Sequence, residues 1–216
     1  VNGDGFIDIY VCKSGDTKGE KRNNELFINN SVSKDGSSGI SFTEKGKEYG
    51  LDNRGLSTHA VFFDYDKDGD LDLLICPGGN NVPDNSRQLQ LRLFKNDGKG
   101  NFELDPNAFP VNNANISVAA AYDFDDDGDL DLFIGGRSVP HEFGLNPPSY
   151  LFVNDGNGHF TDIAKTKNPD IANIGMVTGA AWADVTGSAQ KELIIVGEWM
   201  TPRIFSFERG HFTEIK

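Results

Sequence analysis

The chain has 216 residues, 33 acidic against 20 basic side chains, and a formal net charge of -13. At 37% hydrophobic and 11% aromatic it is too apolar for a disordered tail, and no apolar stretch approaches the roughly 20 residues of a membrane-spanning helix. The acidic balance argues against nucleic acid or an anionic membrane as partner, since phosphate binding calls on Lys and Arg.

Taken along the chain, the same elements return. VNGDGFID (1–8) is an acidic segment followed by an LF run, LFINN (26–30). The strand-like THAVFFDY then leads into DYDKDGDLD (64–72), the apolar run LDLLIC, and LFKNDGKGNF (93–102). NISVAAAY leads into DFDDDGDLD (123–131), LDLFIG and LFVNDGNGHFTD (151–162). GMVTGAAWA leads into DVTGSAQKE (184–192), ELIIVG and the looser IFSFERGHFTE (204–214). The apolar runs have strand length and are rich in Ile, Val and Phe. NDGKG and NDGNG suit hairpins, because Gly takes positive φ freely and Asn or Asp tolerates it. No segment holds a helical period over three turns.

Asp64 and Asp123 are 59 residues apart, Asp123 and Asp184 are 61 apart, and such a period marks propeller blades or solenoid arrays. Four short antiparallel strands per copy, set radially, make a β-propeller. The expected fold is therefore all-β, with repeats at about 1–50, 51–109, 110–168 and 169–216. The first copy lacks its first strand, which leaves about three and three-quarter blades. Two DxDxDGDLD loops, the Ala-rich strand before each and the NDGxGxF turn after each resemble the FG-GAP or VCBS repeats of the integrin α-type propeller. Among these, the bacterial surface proteins related to cartilage acidic protein are the most similar subgroup. The resemblance spans essentially the whole chain and implies further blades, completing a ring of about seven, from the same longer chain or a partner.

The acidic loops carry the chemistry. Thirteen of the 33 acids fall within the first three of them, and that crowding of like charge is costly unless a cation or solvent offsets it. In DxDxDGxxD, positions 1, 3 and 5 converge, the Gly at position 6 permits the reversal, position 7 offers its carbonyl and position 9 closes the site. Such an all-oxygen set suits Ca²⁺ better than Mg²⁺, and no Cys or His stands at zinc-ligand spacing. The ligands of the second copy are Asp64, Asp66, Asp68 and Asp72, with the Asp70 carbonyl. Those of the third are Asp123, Asp125, Asp127 and Asp131, with the Asp129 carbonyl. The first copy offers Asn2, Asp4, the Phe6 carbonyl and Asp8, and is expected to be empty or weak without its opening Asp. The fourth keeps Asp184 and Glu192 but has Thr186 and Ser188 between them and Ala189 for the Gly. It is expected to hold no calcium, with Lys191 placed to neutralise Glu192.

Cys12 and Cys76 occupy one repeat position, where the other copies have Gly135 and Val196, a tight buried slot that favours free thiols over a disulfide. No nucleophile elbow, P-loop or zinc signature appears, so no enzyme is expected. Binding residues concentrate on loops over rigid scaffolds. Strand parity puts the calcium loops and NDG turns at one end of each blade and the long loops 12–25, 76–88, 135–149 and 197–203 at the other. Arg137, His141, Trp199 and Arg203 on those loops are the ligand candidates, with Trp199 suited to stacking on a sugar or anchoring a partner. The expected function is a calcium-stabilised extracellular module for adhesion, protein or glycan binding, or scaffolding, at a bacterial outer surface. The alternative is the propeller of a polysaccharide lyase, which would need a cluster of basic and acidic groups on that long-loop face.

Overall fold

The computed structural model describes residues 1–14, 23–31, 39–80, 82–83, 86–142 and 144–216. Among these, strands are grouped into four antiparallel sheets, each in chain order. The first holds β1 (Ile9–Val11), β2 (Glu25–Asn29) and β3 (Phe42–Glu44). The second holds β4 (Ser57–Phe63), β5 (Asp72–Pro77), β6 (Arg92–Asn96) and β7 (Phe102–Asp105). β8 (Asn115–Tyr122), β9 (Asp131–Ser138), β10 (Tyr150–Asn154) and β11 (Phe160–Asp162) form the third. β12 (Met176–Ala183), β13 (Glu192–Glu198), β14 (Arg203–Glu208) and β15 (His211–Ile215) form the fourth. These are propeller blades, one three-stranded and three four-stranded, and no closed ring is formed among the described residues. The sequence reading differs at one place: two single-turn helices, α1 (Ala164–Lys167) and α2 (Pro169–Ala172), follow β11. Asn168 flanks both, ending the first and preceding the second, and Pro169 opens the second in its first turn, where a backbone N–H has no intrahelical partner.

The second strands are apolar without interruption because consecutive blades cover both of their faces. Strand alternation sends Leu73 and Ile75 of β5, with Phe94 of β6, toward the first blade, where they meet Leu26 and Ile28. Leu74 and Cys76 point the other way, against Ala114, Ile116, Leu132 and Ile134 of the third blade. Phe133 and Leu151 continue the pattern against Leu193, Ile195 and Phe205 of the fourth. Both cysteines are free, Cys76 is buried, and burial pushes the Cys12 thiol up to about 11, so neither is a reactive thiolate.

The first strands carry a second device. β4 and β12 each break register once, around Thr58 and Thr178, and β8 breaks it around Ser117 and again between Asn115 and Ile116. A bulge re-aims the extra residue, and here the extra residue bears a hydroxyl. Thr58 Oγ1 donates to the Ile116 carbonyl of the next blade at 2.7 Å, and Ser117 Oγ donates to the Val177 carbonyl of the next at 2.6 Å. Blades are thus pinned to each other through first strands as well as by apolar packing.

Candidate metal centres

All four acidic loops share one backbone path. Position 4 has positive φ in each (Gly3 +72°, Lys67 +58°, Asp126 +63°, Gly187 +76°), and so does position 6 (Gly5 +81°, Gly69 +93°, Gly128 +92°, Ala189 +70°). The Gly at position 6 is thus not indispensable: Ala189 takes the left-handed conformation at a steric cost. The residue at position 2 plugs the next blade where it is aromatic. Tyr65 is buried beside Gly158, and Phe124 packs on Trp182, Phe207 and Phe212.

The ninth position is held the same way in three loops. Asp72 and Asp131 each accept with Oδ2 from the backbone N–H of position 2 (Tyr65, Phe124) at 3.2 and 3.1 Å, and Asp8 Oδ2 accepts at 2.9 Å from the Val1 nitrogen, here the terminal ammonium. Their Oδ1 accepts from the nitrogen of an Asn closing the third strand: Asn29 at 2.8 Å, Asn96 at 2.8 Å, Asn154 at 2.9 Å. Those Asn side chains then donate to the carbonyl at position 8 (Ile7, Leu71, Leu130). Asn154 also donates at 2.7 Å to the Tyr65 carbonyl of the preceding blade. Sequence reasoning treated Asn96 and Asn154 as turn formers and gave Asn29 no role. Their recurrence at the end of each LFxN run is the signal that marks them as clamps on the acidic loop.

In the second and third loops three carboxylates converge. One oxygen each of Asp64, Asp66 and Asp72 lies within 4.8 Å of the others, and the same holds for Asp123, Asp125 and Asp131. Asp64 Oδ1, Asp66 Oδ1 and Asp123 Oδ1 are buried and accept no hydrogen bond. Buried oxygens without donors are costly, and a cation at the convergence point would satisfy them. Asp68 and Asp127 stand outside the triads, each with Oδ1 accepting from its own loop's seventh nitrogen. The Asp70 and Asp129 side chains turn toward Gly98 and Gly156 of the NDG turns, leaving their carbonyls as the groups a metal would use.

Electrostatics point the same way. Burial pushes Asp72 up to about 7, with the charges of Asp66 and Asp68 adding to it and the N–H groups of Asn96 and Tyr65 only partly offsetting it. Burial likewise raises Asp131 to about 7, helped by Asp125 and Asp127, and Asp125 is raised by burial and by Asp127. These sites are strained as ionised clusters and suit an oxygen-seeking divalent ion, the donor set fitting calcium.

In the fourth loop the ninth position is held by donors of the loop itself. Glu192 accepts from the Thr186 hydroxyl at 2.6 Å and the Val185 nitrogen at 2.8 Å, and these bonds hold its carboxyl below the ordinary range. Phe207 replaces the clamping Asn, and Gln190 Nε2 donates to the Phe124 carbonyl in its stead. Lys191 does not neutralise Glu192: its ammonium lies 5.3 Å from the centre of the Tyr122 ring. The first loop is bonded within itself, Asn2 Nδ2 to Asp4 Oδ2 at 2.8 Å and the Phe6 nitrogen to Asp4 Oδ1 at 2.9 Å. No triad forms there among the described residues.

At the opposite end of the blades, residues 15–22, 81, 84–85 and 143 of the long loops lie outside the described residues. Arg137 donates to Glu198 at 2.8 Å, and the adjoining Trp199, 78% exposed, faces Gly144 across the third and fourth blades. His141 Nε2 bonds the Val82 carbonyl at 3.1 Å. Arg203 is paired through two nitrogens with Glu214 at 2.8 Å and sits over Phe205. A cavity of about 640 Å³ lies elsewhere, beside Asp125, Phe124, Lys167 and Gln190, and none of the four ligand candidates lines it.

A family model described as an FG-GAP-like repeat matches residues 1–75 and 123–195, more than half of the chain and all four acidic loops. No curated protein matches the chain.

Proposed function

The chain belongs to the FG-GAP-like repeat family, and on that premise we propose that it is a calcium-stabilised binding or scaffold propeller of the cell surface. The observation that carries this reading is the pair of convergent Asp triads with buried oxygens that accept no hydrogen bond. Calcium bound at Asp64, Asp66 and Asp72, and at Asp123, Asp125 and Asp131, would neutralise each cluster and fix the turn between the first two strands of its blade. Binding energy at such a site is folding energy. Asp68 and Asp127 would complete the shell by turning inward, with the carbonyls of Asp70 and Asp129.

Location outside the cytosol follows from the calcium reading, since extracellular modules hold calcium at concentrations the cytosol does not reach. Resemblance to bacterial surface proteins supports an outer-surface setting. No helix among the described residues is long and apolar enough to cross a membrane. A binding or adhesion role, toward protein or glycan, is supported by the long-loop end with exposed Trp199 beside the Arg137–Glu198 pair. Seating of a further blade is supported by the outer face of the fourth sheet. Leu74 and Leu93, then Phe133 and Leu151, are cross-strand pairs buried by the next blade. Their counterparts Ile194 and Ile204 are half-buried, with Val196 39% and Val185 50% exposed beside them.

Native mass spectrometry with calcium and with chelator tests the reading. It requires two ions per chain, abolished one at a time by Asp64→Ala and Asp123→Ala, and a higher melting temperature in calcium. Equal melting temperatures in the two buffers, with no bound ion, would refute it.

A further inference from the structure

The second and third acidic loops share ligands, backbone path and Asn clamp, yet the strand beside each differs at the residue before that clamp. Lys95 precedes Asn96 in β6, whereas Val153 precedes Asn154 in β10. The Lys95 ammonium is ion-paired with Asp66 and lies 3.4 Å from Asp68 Oδ2. It therefore already occupies two of the four carboxylates assigned to the metal in that loop. Asp125 and Asp127 of the third loop have no such partner among the described residues. The cation nearest that loop, Lys67, pairs at 2.7 Å with the Asp129 side chain, which is not a metal ligand.

We propose that Lys95 is a built-in competitor of calcium, so that the two sites fill in order: the 123–131 loop first, the 64–72 loop only at higher calcium. The inference rests on the calcium reading above and adds a specific control to it. Calcium entering the second loop must displace the ammonium from Asp66 and Asp68 or bear its repulsion at close range. A double and a single positive charge about 5 Å apart in a water-like dielectric weaken binding on the order of tenfold. Calcium affinity in oxygen-ligand loops is tuned by the net ligand charge; Lys95 pairs directly with two ligand carboxylates of the second loop, whereas Lys67 pairs with the third loop only through the Asp129 side chain and acts on Asp127 and Asp123 at longer range. When calcium is scarce, Lys95 offsets the charge of Asp66 and Asp68 by direct contact, while among the described residues no ammonium pairs with Asp125 or Asp127. The second loop then exchanges one cation for another, and the third exchanges order for strain.

Calcium titration calorimetry on the full chain, with Lys95→Met and Val153→Lys variants, tests this. The wild type is expected to show two sites about tenfold apart, with Asp66→Ala removing the weaker and Asp125→Ala the tighter. K95M should raise the weaker site to the level of the tighter one, and V153K should lower the tighter. Thermal melting gives an independent sign: K95M should melt below the wild type in chelator but not in saturating calcium. Two equal sites in the wild type, or a K95M isotherm identical to it, would overturn the competitor role while leaving calcium binding intact. No calcium uptake by any variant would overturn the calcium reading and this inference with it.

Discussion

Replacing Asn154 by alanine should destabilise the protein far more than its place at a turn suggests. The side chain is 1% exposed. It donates to the Tyr65 carbonyl at 2.7 Å and the Leu130 carbonyl at 3.3 Å, and accepts from the Gly156 nitrogen at 3.1 Å. Truncation orphans a buried carbonyl of the neighbouring blade, costing about 1–3 kcal/mol, and weakens two partly solvated bonds worth less. A total loss of about 3 kcal/mol converts to a drop of about 6–12 °C in melting temperature for a chain of this size. Among the described residues the Asn96 side chain donates to Leu71 and to no neighbouring blade, and Asn29 donates in an exposed setting. Thermal melts in saturating calcium should therefore rank the losses Asn154→Ala, Asn96→Ala, Asn29→Ala. Equal losses at the three sites, or a change under about 2 °C for the first, would show that the link between blades carries no weight.

Two further outcomes follow from the loops. Asp72 and Asp131 stand at about 7 in the metal-free fold, above the ordinary 3.8. Between those values the folded chain holds protons that the unfolded chain has released, so metal-free stability should rise as pH falls through 7 toward 4. Calcium needs the ionised carboxylates, so its stabilising effect should shrink over the same window. Melts in chelator and in calcium from about pH 7.5 to about pH 5.5 check both trends, and a falling curve in chelator on acidification contradicts the first. Ala189→Gly relieves a non-glycine residue at φ +70°. Net of the added freedom of the unfolded chain, it should stabilise by about 0.5–1 kcal/mol, a rise of about 1–4 °C. A lower melting temperature would mean that the loop does not store that strain.

Strand existence and order were legible along the chain because each blade is a local meander. Apolar runs such as LDLLIC and LDLFIG alternate between two covered faces, and Asn-Asp-Gly turns separate them. The acidic loops were legible for the same reason: their ligands lie within nine residues, so spacing alone brings them to one point. Helices α1 and α2 were not, since a single turn gives no period to read and forms here through Asn168 and Pro169.

What the sequence by itself determined was the repeat, the blade and the presence of two complete acidic loops, all properties of contacts close in the chain. Tertiary structure alone decided which atoms those loops leave without a partner, and why the loops are not equivalent. Asn154 reaches Tyr65 across 89 residues, Ser117 reaches Val177 across 60, and Lys95 reaches Asp66 across 29. Each bond spans two strands or two blades whose relative placement is set by burial of the apolar faces between them. A side chain's partner across a sheet depends on register and stacking, and those become fixed only when the blades close on one another.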